Sequence, residues 1–267
     1  MYNEQSMTTV CGTLCYAMGI EPPEYATETN PALKAYIDEK LGGKKADRIL
    51  MFNPDAVAEW IYRKYPYLTK EVQDRTEVEV PLCTVMPSVT PVCFATMYSG
   101  ATPKQHGIRK YEKPVLTVDT FFDALLRAGK KPAIIAVQNC SIARIFLERG
   151  MDYYIFPNLH EEYAKAAELI LRDEYDVIVF YDGSYDSRMH KVGPEGLEAL
   201  ADLKANSRGF AWMSELVKTA WKGHDTLVAW AMDHGCHEID GELGSHGLDM
   251  EEDLNVVHRY QIYPAEK

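Results

Sequence analysis

The chain has 267 residues, 46% of them hydrophobic and 25% charged, and carries a net charge of −12 at pH 7. This composition is typical of a globular protein with a large core, and the negative charge argues against a nucleic-acid partner, which would need a basic face. No apolar run reaches the ~18 residues of a membrane-spanning helix, and the first residues show no signal-peptide pattern. We therefore expect a cytoplasmic protein without nucleic-acid or membrane partners, and the sequence leaves its oligomeric state open.

Residues 1–43 precede the first predicted strand and are predicted to form a helical N-terminal appendage. Asn30 or Thr29 suits the N-cap of a helix, Pro31 suits its first turn, and a Gly-Gly pair would end it. The sequence does not decide whether this segment covers a sheet edge or forms part of a lid. Residues 44–267 would then form the main domain.

From residue 44 onward, apolar strand patterns alternate with helical patterns. Strands are predicted over residues 46–52, 77–85, 131–137, 151–156, 175–183 and 224–235. Helices are predicted over residues 55–65, 117–129, 140–150, 160–174 and, as one or two helices, 193–221, with Thr117 as the N-cap of the second and Gly129 as its end. The alternation predicts an α/β fold with a mostly parallel sheet and helices on both faces.

Side chains that can bind metals follow four of the predicted strands. They are Asp55 after the first, Thr90 after the second, Asp186 and His190 after the fifth, and Asp233, His234, His237 and His246 after the last. Taken singly, these residues could be helix caps, a helix start, a surface ion pair or a turn. Because the carboxyl ends of parallel strands meet at one edge of a sheet, their combination instead predicts a metal site. The donors are too many for one tetrahedral ion, so two divalent ions are the simpler interpretation.

The stretch PSVTPVCFATMYSGATPKQHGI, residues 87–108, resembles the nucleophile segment of the alkaline phosphatase superfamily. It is most similar to the type I phosphodiesterase/nucleotide pyrophosphatase branch, which carries a Thr or Ser, a small-residue helix ending in Ser/Thr-Gly, and P-x-x-H-G. The matching residues are Thr90, Ser99-Gly100, and Pro103 with His106-Gly107. The patterns D-x-x-x-H at 186–190, D-H-G at 233–235 and G-x-H-G at 244–247 follow in the order of the family. The resemblance extends from Lys45 to about Asp249.

The resemblance implies an alkaline-phosphatase-like catalytic domain over residues 44–267 without a large cap domain. It also implies a two-metal site in which Thr90 is both a ligand and the nucleophile that forms a phosphothreonine. One ion would be held by Asp186, His190 and His246, and the other by Asp55, Asp233, His234 and the Thr90 hydroxyl. Since this donor set contains no thiolate, zinc is favoured, with manganese second. His237 is left over, either bonded to a ligand or exposed to solvent.

Two positions depart from the pattern of the family. Ala56 stands where the family usually has Gly after the first Asp, and Arg109-Lys110 stand where its pyrophosphatases often carry an Asn. These two basic residues could bind the phosphate, Arg the better of the two, or they could form a solvated turn. The six Cys of the chain are interpreted as reduced thiols, and Cys93 and Cys236, although near the motifs, as packing residues.

These observations predict a metal-dependent phosphoesterase of the phosphodiesterase/pyrophosphatase type, acting on a small phosphate ester. The alternatives are a phosphomutase or phosphomonoesterase of the same superfamily and, outside enzymes, a metal-dependent binding protein. A mutase must exclude water from its phosphoenzyme with a closing lid, and no insert of cap size lies between Thr90 and Asp186. An open cleft leaves room for a second ester group, so diesters are slightly favoured over monoesters. The natural substrate stays open.

Overall fold

The centre of the fold is a seven-stranded sheet in which one strand runs opposite to the other six. The structure is a computed structural model that describes residues 1–266. Its strands are β1 (Arg48–Pro54), β2 (Val78–Cys83), β3 (Pro132–Val137), β4 (Asp152–Phe156), β5 (Val177–Asp182), β6 (Thr226–Trp230), β7 (His237–Ile239), β8 (Leu243–Ser245) and β9 (Asn255–Tyr263). The order in the sheet is β2-β9-β6-β1-β5-β3-β4, with β9 antiparallel to β2 and β6, while β7 and β8 form a separate hairpin. The predicted mostly parallel sheet is confirmed.

Helices cover both faces of this sheet, as predicted. They are α1 (Thr9–Met18), α2 (Pro31–Leu41), α3 (Glu59–Lys64), α4 (Lys70–Gln73), α5 (Thr90–Ser99), α6 (Pro103–His106), α7 (Phe121–Arg127), α8 (Ile142–Ile145), α9 (Leu159–Arg172), α10 (Ser184–Val192), α11 (Leu197–Ala220) and α12 (Glu251–Leu254). One layer contains α1, α2, α5, α7 and α8, and the other contains α4, α9, α10 and α11. Between Thr90 and Asp186 the chain forms helices α5 to α9 and strands β3 to β5, and it forms no separate cap domain there.

The register of the three central strands brings their carboxyl ends to one place. Strand β1 pairs in parallel with β5 on one side and with β6 on the other. Pro54 lies opposite Asp182, and Phe52 lies opposite Trp230. The residues that follow β1, β5 and β6 therefore leave the sheet at the same edge, where ligands of open α/β sheets bind.

An aromatic cluster joins the central strands to the longest helix. Phe52 stacks on Trp230 with ring centroids 5.2 Å apart, and the Phe210 ring of α11 stands edge-on to both, at 5.9 and 5.6 Å. All three side chains are fully buried. Strand β1 has an unbroken hydrophobic run, Ile49 to Phe52, because both of its faces are covered there.

The first 43 residues pack on the same core as the sheet. Met7, Val10 and Leu14 are fully buried members of that core, and α1 contacts α5. Ser6 forms a bridge with Cys83 at the end of β2. In α2 the N-cap is Asn30, whose side chain accepts a hydrogen bond from the Leu33 N–H. The separation of this segment as an appendage stays a prediction.

Several predicted element boundaries were wrong. The cap of α7 is Thr120 and not Thr117, because Thr120 and Asp123 cap each other reciprocally. Only α8 is helical within 140–150, and the helix predicted over 55–65 is reduced to α3. Strand β9 and the β7–β8 hairpin were not predicted at all, and the stretch 193–221 holds one helix of 24 residues.

Among the helices of residues 1–266, none combines the length and the hydropathy that crossing a membrane requires.

The aromatic cluster gives the first testable prediction. Phe210→Ala removes a ring that packs on two central-strand aromatics, and it should lower the free energy of unfolding by about 3–5 kcal/mol. The control is Leu197→Ala on the same helix, whose side chain is 87% exposed and whose loss should change stability by less than about 0.5 kcal/mol. Denaturant unfolding measures both, and equal effects would contradict the described packing.

Candidate metal centre and active site

Six predicted ligands form two adjacent groups at the carboxyl edge of the central strands. Asp55 follows β1, Asp186 lies in the first turn of α10 after β5, and Asp233 with His234 follows β6. His190 and His246 complete the set, from α10 and from the segment after β8. In each group the nearest possible ligand atoms lie within 4.8 Å of one another. The structure thus brings these residues together in the two predicted groups, and their binding of metal ions stays a prediction.

The first group consists of Asp186, His190 and His246. The Nε2 atoms of the two imidazoles lie 3.3 and 3.5 Å from the same oxygen, Oδ1 of Asp186. Asp186 and His190 are one helical turn apart, so the i,i+4 spacing places them on one face of α10. The helix therefore presents two donors together, and the third comes from a distant part of the chain.

The second group consists of Asp55, Asp233 and His234, all fully buried. Nε2 of His234 lies 3.4 Å from Oδ1 of Asp55 and 3.3 Å from Oδ2 of Asp233. The Thr90 hydroxyl is 3.2 Å from the same nitrogen. The His234 and His246 rings stack with centroids 4.0 Å apart, so the two groups are direct neighbours.

The three imidazoles are oriented by backbone carbonyl groups. Nδ1 of His190, His234 and His246 lies 2.9 Å from the carbonyl oxygens of Gly244, Gly235 and Ser88, respectively. A carbonyl oxygen only accepts, so each Nδ1 carries the hydrogen and donates it. Nε2 is then the atom left to face the carboxylates, and this is the arrangement by which metal-bound histidines are held in position.

Three carboxylate oxygens of the two groups are buried without a hydrogen-bond partner. They are Oδ1 of Asp55, Oδ1 of Asp186 and Oδ2 of Asp233, the oxygens nearest the imidazole nitrogens. Within residues 1–266, no Lys or Arg forms an ion pair with any of these three residues. Buried charges are normally paired or bound to metal, so this donor set fits two divalent cations.

The pKa values of the three carboxyl groups differ between the two groups of ligands. Burial, together with the charge of Asp186, raises the pKa of Asp55 to about 7. Burial and the charge of Asp55 raise the pKa of Asp233 well above its usual range. Burial also opposes ionisation of Asp186, but the neighbouring His190 and His246 outweigh it and lower its pKa below the usual range. Without cations, simultaneous ionisation of Asp55 and Asp233 in the second group is therefore unfavourable.

Ala56 adopts a backbone conformation that favours glycine. Its φ is +62°, and its N–H is 3.3 Å from Oδ1 of Asp233, to which it donates. Residues with a Cβ pay for this left-handed conformation with roughly 1–2 kcal/mol. Glycine, which the family usually has at this position, would adopt the same turn without this strain.

Thr90 is the first residue of α5 and also a member of the site. Its side chain is buried, and its hydroxyl contacts His234 from the N-terminal end of the helix. The interpretation of Thr90 as a helix start is therefore correct but incomplete. A helix N-terminus attracts anions through its free N–H groups and its dipole, so this position suits a residue that must meet a phosphate.

Other predicted or suspected residues lie apart from the two groups. Arg109 and Lys110 are exposed, Lys110 pairs with Glu112, and neither lines the cavity beside Thr90. Their role in phosphate binding stays a prediction. His237 is buried and lies 2.7 Å from Asp253, so its place is at the base of the β7–β8 hairpin rather than on a ligand.

The cysteines form no disulfide bond in the structure. All six are unpaired, and Cys93 and Cys236 are fully buried. Burial raises the pKa of both thiols, which keeps them protonated and inert. The interpretation of both as packing residues agrees with their surroundings, since Cys236 lies against the Tyr185 hydroxyl.

Sequence reasoning missed residues that support the ligands. The Tyr181 hydroxyl donates to Oδ2 of Asp55, the oxygen that does not face His234. Gly244, whose carbonyl orients His190, lies so close to α10 that a Cβ there would be 2.2 Å from the Met189 sulfur. Tyr181 is the last-but-one residue of β5, and only the parallel register of β1 and β5 puts it beside Asp55.

A cavity of about 370 Å³ opens beside the two groups. Its wall includes Thr90, Asp55 and Asp186, and it continues toward the loop after β3 and the first turn of α9. This volume is enough for a phosphoryl group and a small organic substituent.

Comparison with solved structures finds the same fold in hydrolases. The murine ectonucleotide pyrophosphatase/phosphodiesterase 5 matches with a TM-score of 0.57 at 17% identity, over 72% of this chain and 58% of that one. The human protein of the same name matches with 0.59 at 14% identity over 72% and 58%. Phosphonoacetate hydrolase from Sinorhizobium meliloti 1021, in complex with phosphonoformate, matches with 0.54 at 17% identity over 76% and 61%.

The chain therefore spans about three fifths of the length of these neighbours. The predicted likeness to the nucleotide pyrophosphatase/phosphodiesterase branch of the alkaline phosphatase superfamily is confirmed for the fold. In sequence, no protein-family model and no curated protein matches the chain.

The two ligand groups predict that the protein binds about two divalent ions per chain. Zn²⁺ added to metal-free protein should raise its melting temperature, because at a hundredfold excess over Kd each site adds about 2.7 kcal/mol. Asp186→Ala and His234→Ala should each lose one ion, measured by elemental analysis, while Asp240→Ala, an exposed control, keeps both. Two ions in all three variants would contradict the assignment.

Proposed function

We propose that this protein is a metal-dependent phosphoesterase that transfers the phosphoryl group of a small ester to Thr90 and then to water. The observation that carries the proposal is the contact between the buried Thr90 hydroxyl and His234, within a cluster of unpaired carboxylate oxygens. In support, the murine neighbour is described in an inactive form with a single threonine changed to alanine, in complex with AMP.

Two bound divalent ions, zinc before manganese, would lower the pKa of the Thr90 hydroxyl and neutralise charge on the phosphoryl and leaving oxygens. Asp186, His190 and His246 would hold one ion, and Asp55, Asp233 and His234 the other, with Thr90 beside them. The three ligand carboxylates carry −3 against +4, so a net positive field would attract an anionic ester despite the acidic surface of the protein.

The chain's own residues would act in two displacements. The Thr90 hydroxyl would release its proton to solvent water as Oγ1 attacks phosphorus in line, and the P–O bond to the leaving group would break with its electron pair on that oxygen. Water would then attack the phosphothreonine, and the bond between phosphorus and Oγ1 would break while Oγ1 regains a proton supplied by that water. The carbonyl groups that hold the three imidazoles would keep the ligand atoms in place through both steps.

The substrate would be a phosphodiester in preference to a monoester. No cap domain closes over the cleft between Thr90 and Asp186, and the cavity beside Thr90 has room for a second ester group. An open cleft also lets water intercept the phosphothreonine, which favours hydrolysis over return of the phosphoryl group to an acceptor.

Thr90→Ala should abolish turnover of bis-p-nitrophenyl phosphate in zinc-loaded protein, and Thr90→Ser should keep a measurable part because the hydroxyl remains. Thr219→Ala, which removes an exposed hydroxyl on α11, is the control and should keep the wild-type rate. Metal content must stay near that of the wild type in the Ser variant. A near-native rate in Thr90→Ala would mean that water attacks the ester directly.

The substrate class is tested by comparing bis-p-nitrophenyl phosphate, p-nitrophenyl phosphate and a hexose phosphate under the same conditions. We expect the diester to be cleaved faster than the monoester, with release of phosphoryl product to water. Faster monoester cleavage would reverse the substrate preference alone. Isomerisation of the sugar phosphate without phosphate release would identify a mutase, and tight metal binding without any turnover would identify a binding protein.

A further inference from the structure

A buried carboxyl group that the proposed mechanism does not use lies in the wall of the cavity beside Thr90. Glu162 has no exposed surface, and neither of its carboxylate oxygens has a hydrogen-bond partner. It lines the same cavity as Thr90, Asp55 and Asp186. An unpartnered buried carboxyl is rare in folded proteins, because nothing offsets its loss of hydration.

Glu162 occupies a position on its helix where an apolar side chain is expected. Ala166 and Leu169 follow it at helical spacing on the buried face of α9, and all three side chains are buried. An apolar residue would therefore satisfy the local pattern at position 162. Residues that break a local rule without a compensating contact are most often found where function requires them.

The rest of the wall shows what kind of group this carboxyl could meet. The cavity lining includes apolar side chains, Val137 and Leu159 among them, and five amide or hydroxyl side chains, namely Gln138, Asn139, Ser141, Ser184 and Ser187. Among the described residues that line it, none is Lys or Arg. A substituent with a second negative charge would find no counter-charge there, whereas a hydrogen-bond donor would find an acceptor in Glu162.

We propose that Glu162 determines substrate specificity by accepting a hydrogen bond from a hydroxyl or ammonium group on the organic substituent of the phosphodiester. The proposal rests on the proposed function for the placement of phosphorus at Thr90, from which the substituent extends into the cavity. Burial, and then the charge of Asp182, raise the pKa of Glu162 to about 8. A hydroxyl can bind the neutral acid, whereas an ammonium would draw it into the ionised form.

The test uses four p-nitrophenyl phosphodiesters whose second ester group is n-butyl, 3-hydroxypropyl, 3-aminopropyl or 2-carboxyethyl. Zinc-loaded wild-type protein should cleave at least one of the two donor-bearing esters with a kcat/KM about tenfold above the n-butyl ester. The carboxyethyl ester should be the slowest. The hydroxypropyl and aminopropyl arms distinguish a hydroxyl from an ammonium as the preferred group.

Glu162→Met should reduce this preference to about onefold, because methionine offers no acceptor to a donor-bearing ester. Glu162→Gln, which keeps a hydrogen-bonding amide, should retain part of a hydroxypropyl preference and weaken an aminopropyl preference. Glu161→Gln is the matched control, because its side chain is exposed on the same helix turn, and it should leave all ratios unchanged.

Stability gives a readout that does not depend on turnover. Glu162→Met removes a buried carboxyl without partners, so the melting temperature of the metal-free protein should stay the same or rise. A fall as large as that of Phe210→Ala would instead assign Glu162 to the fold and overturn the proposal.

The failures of the two proposals are distinguishable. If wild-type protein cleaves none of the four esters, the proposed phosphodiesterase activity is wrong. If it cleaves them without a preference for a donor, or if the preference survives in Glu162→Met, only the role of Glu162 is wrong.

Discussion

The concentration of negative charge at the end of three neighbouring strands is the constraint on which the rest of the site depends. Asp55, Asp186 and Asp233 meet there because β1, β5 and β6 are adjacent and in register. Three carboxylates this close, two of them fully buried, repel one another and lose hydration, and within residues 1–266 no Lys or Arg forms an ion pair with them. Imidazoles that face the carboxylates with Nε2 complete a donor set for hard or borderline cations.

The supporting structure around the ligands is mostly backbone. Carbonyl groups rather than side chains fix the three imidazoles, and these carbonyls belong to residues 88, 235 and 244, which lie on loops and on the β7–β8 hairpin. Close packing of Gly235 and Gly244 holds those loops, because a Cβ at either position would collide with neighbouring atoms at 2.0 and 2.2 Å. Geometry at the site therefore depends on glycine positions that carry no chemistry themselves.

The metal ligands and the residues that can contact the rest of a substrate lie in two different regions of the cleft. Charge, metal ligands and the Thr90 hydroxyl lie at the carboxyl edge of β1, β5 and β6. The adjoining wall, from the loop after β3 and from α9, mixes polar and apolar side chains and carries no basic residue among those described. In a fold without a cap domain, this wall is the surface that can contact the organic part of a substrate, so the specificity proposed for Glu162 and the chemistry proposed for Thr90 come from separate elements. This separation is common in α/β enzymes, whose loops vary around a constant edge.

The sequence by itself predicted the class of fold and the candidate metal ligands, because local patterns indicate the strands and the polar residues that follow them. Apolar runs alternating with helical periodicity predict a parallel sheet, and polar residues directly after those runs must lie at its carboxyl edge. The same reasoning failed for β9, whose antiparallel place between β2 and β6 depends on partners far away in the chain. It also misplaced the cap of α7, where the reciprocal bonds of Thr120 decided the boundary.

The family resemblance implied which candidate ligands share a group, but only the tertiary structure shows the contacts that bring them together and the residues that support them. His246 joins Asp186 across 60 residues because the β7–β8 hairpin packs on α10, and no spacing rule in the sequence contains that contact. Glu162 is one of several charged residues within the predicted helix 160–174, and its burial in a cavity wall follows from how α9 packs on the sheet. Local sequence patterns indicate which face of a helix or strand is apolar. Contacts between side chains that are distant in the chain depend on tertiary packing, and functional sites consist of such contacts.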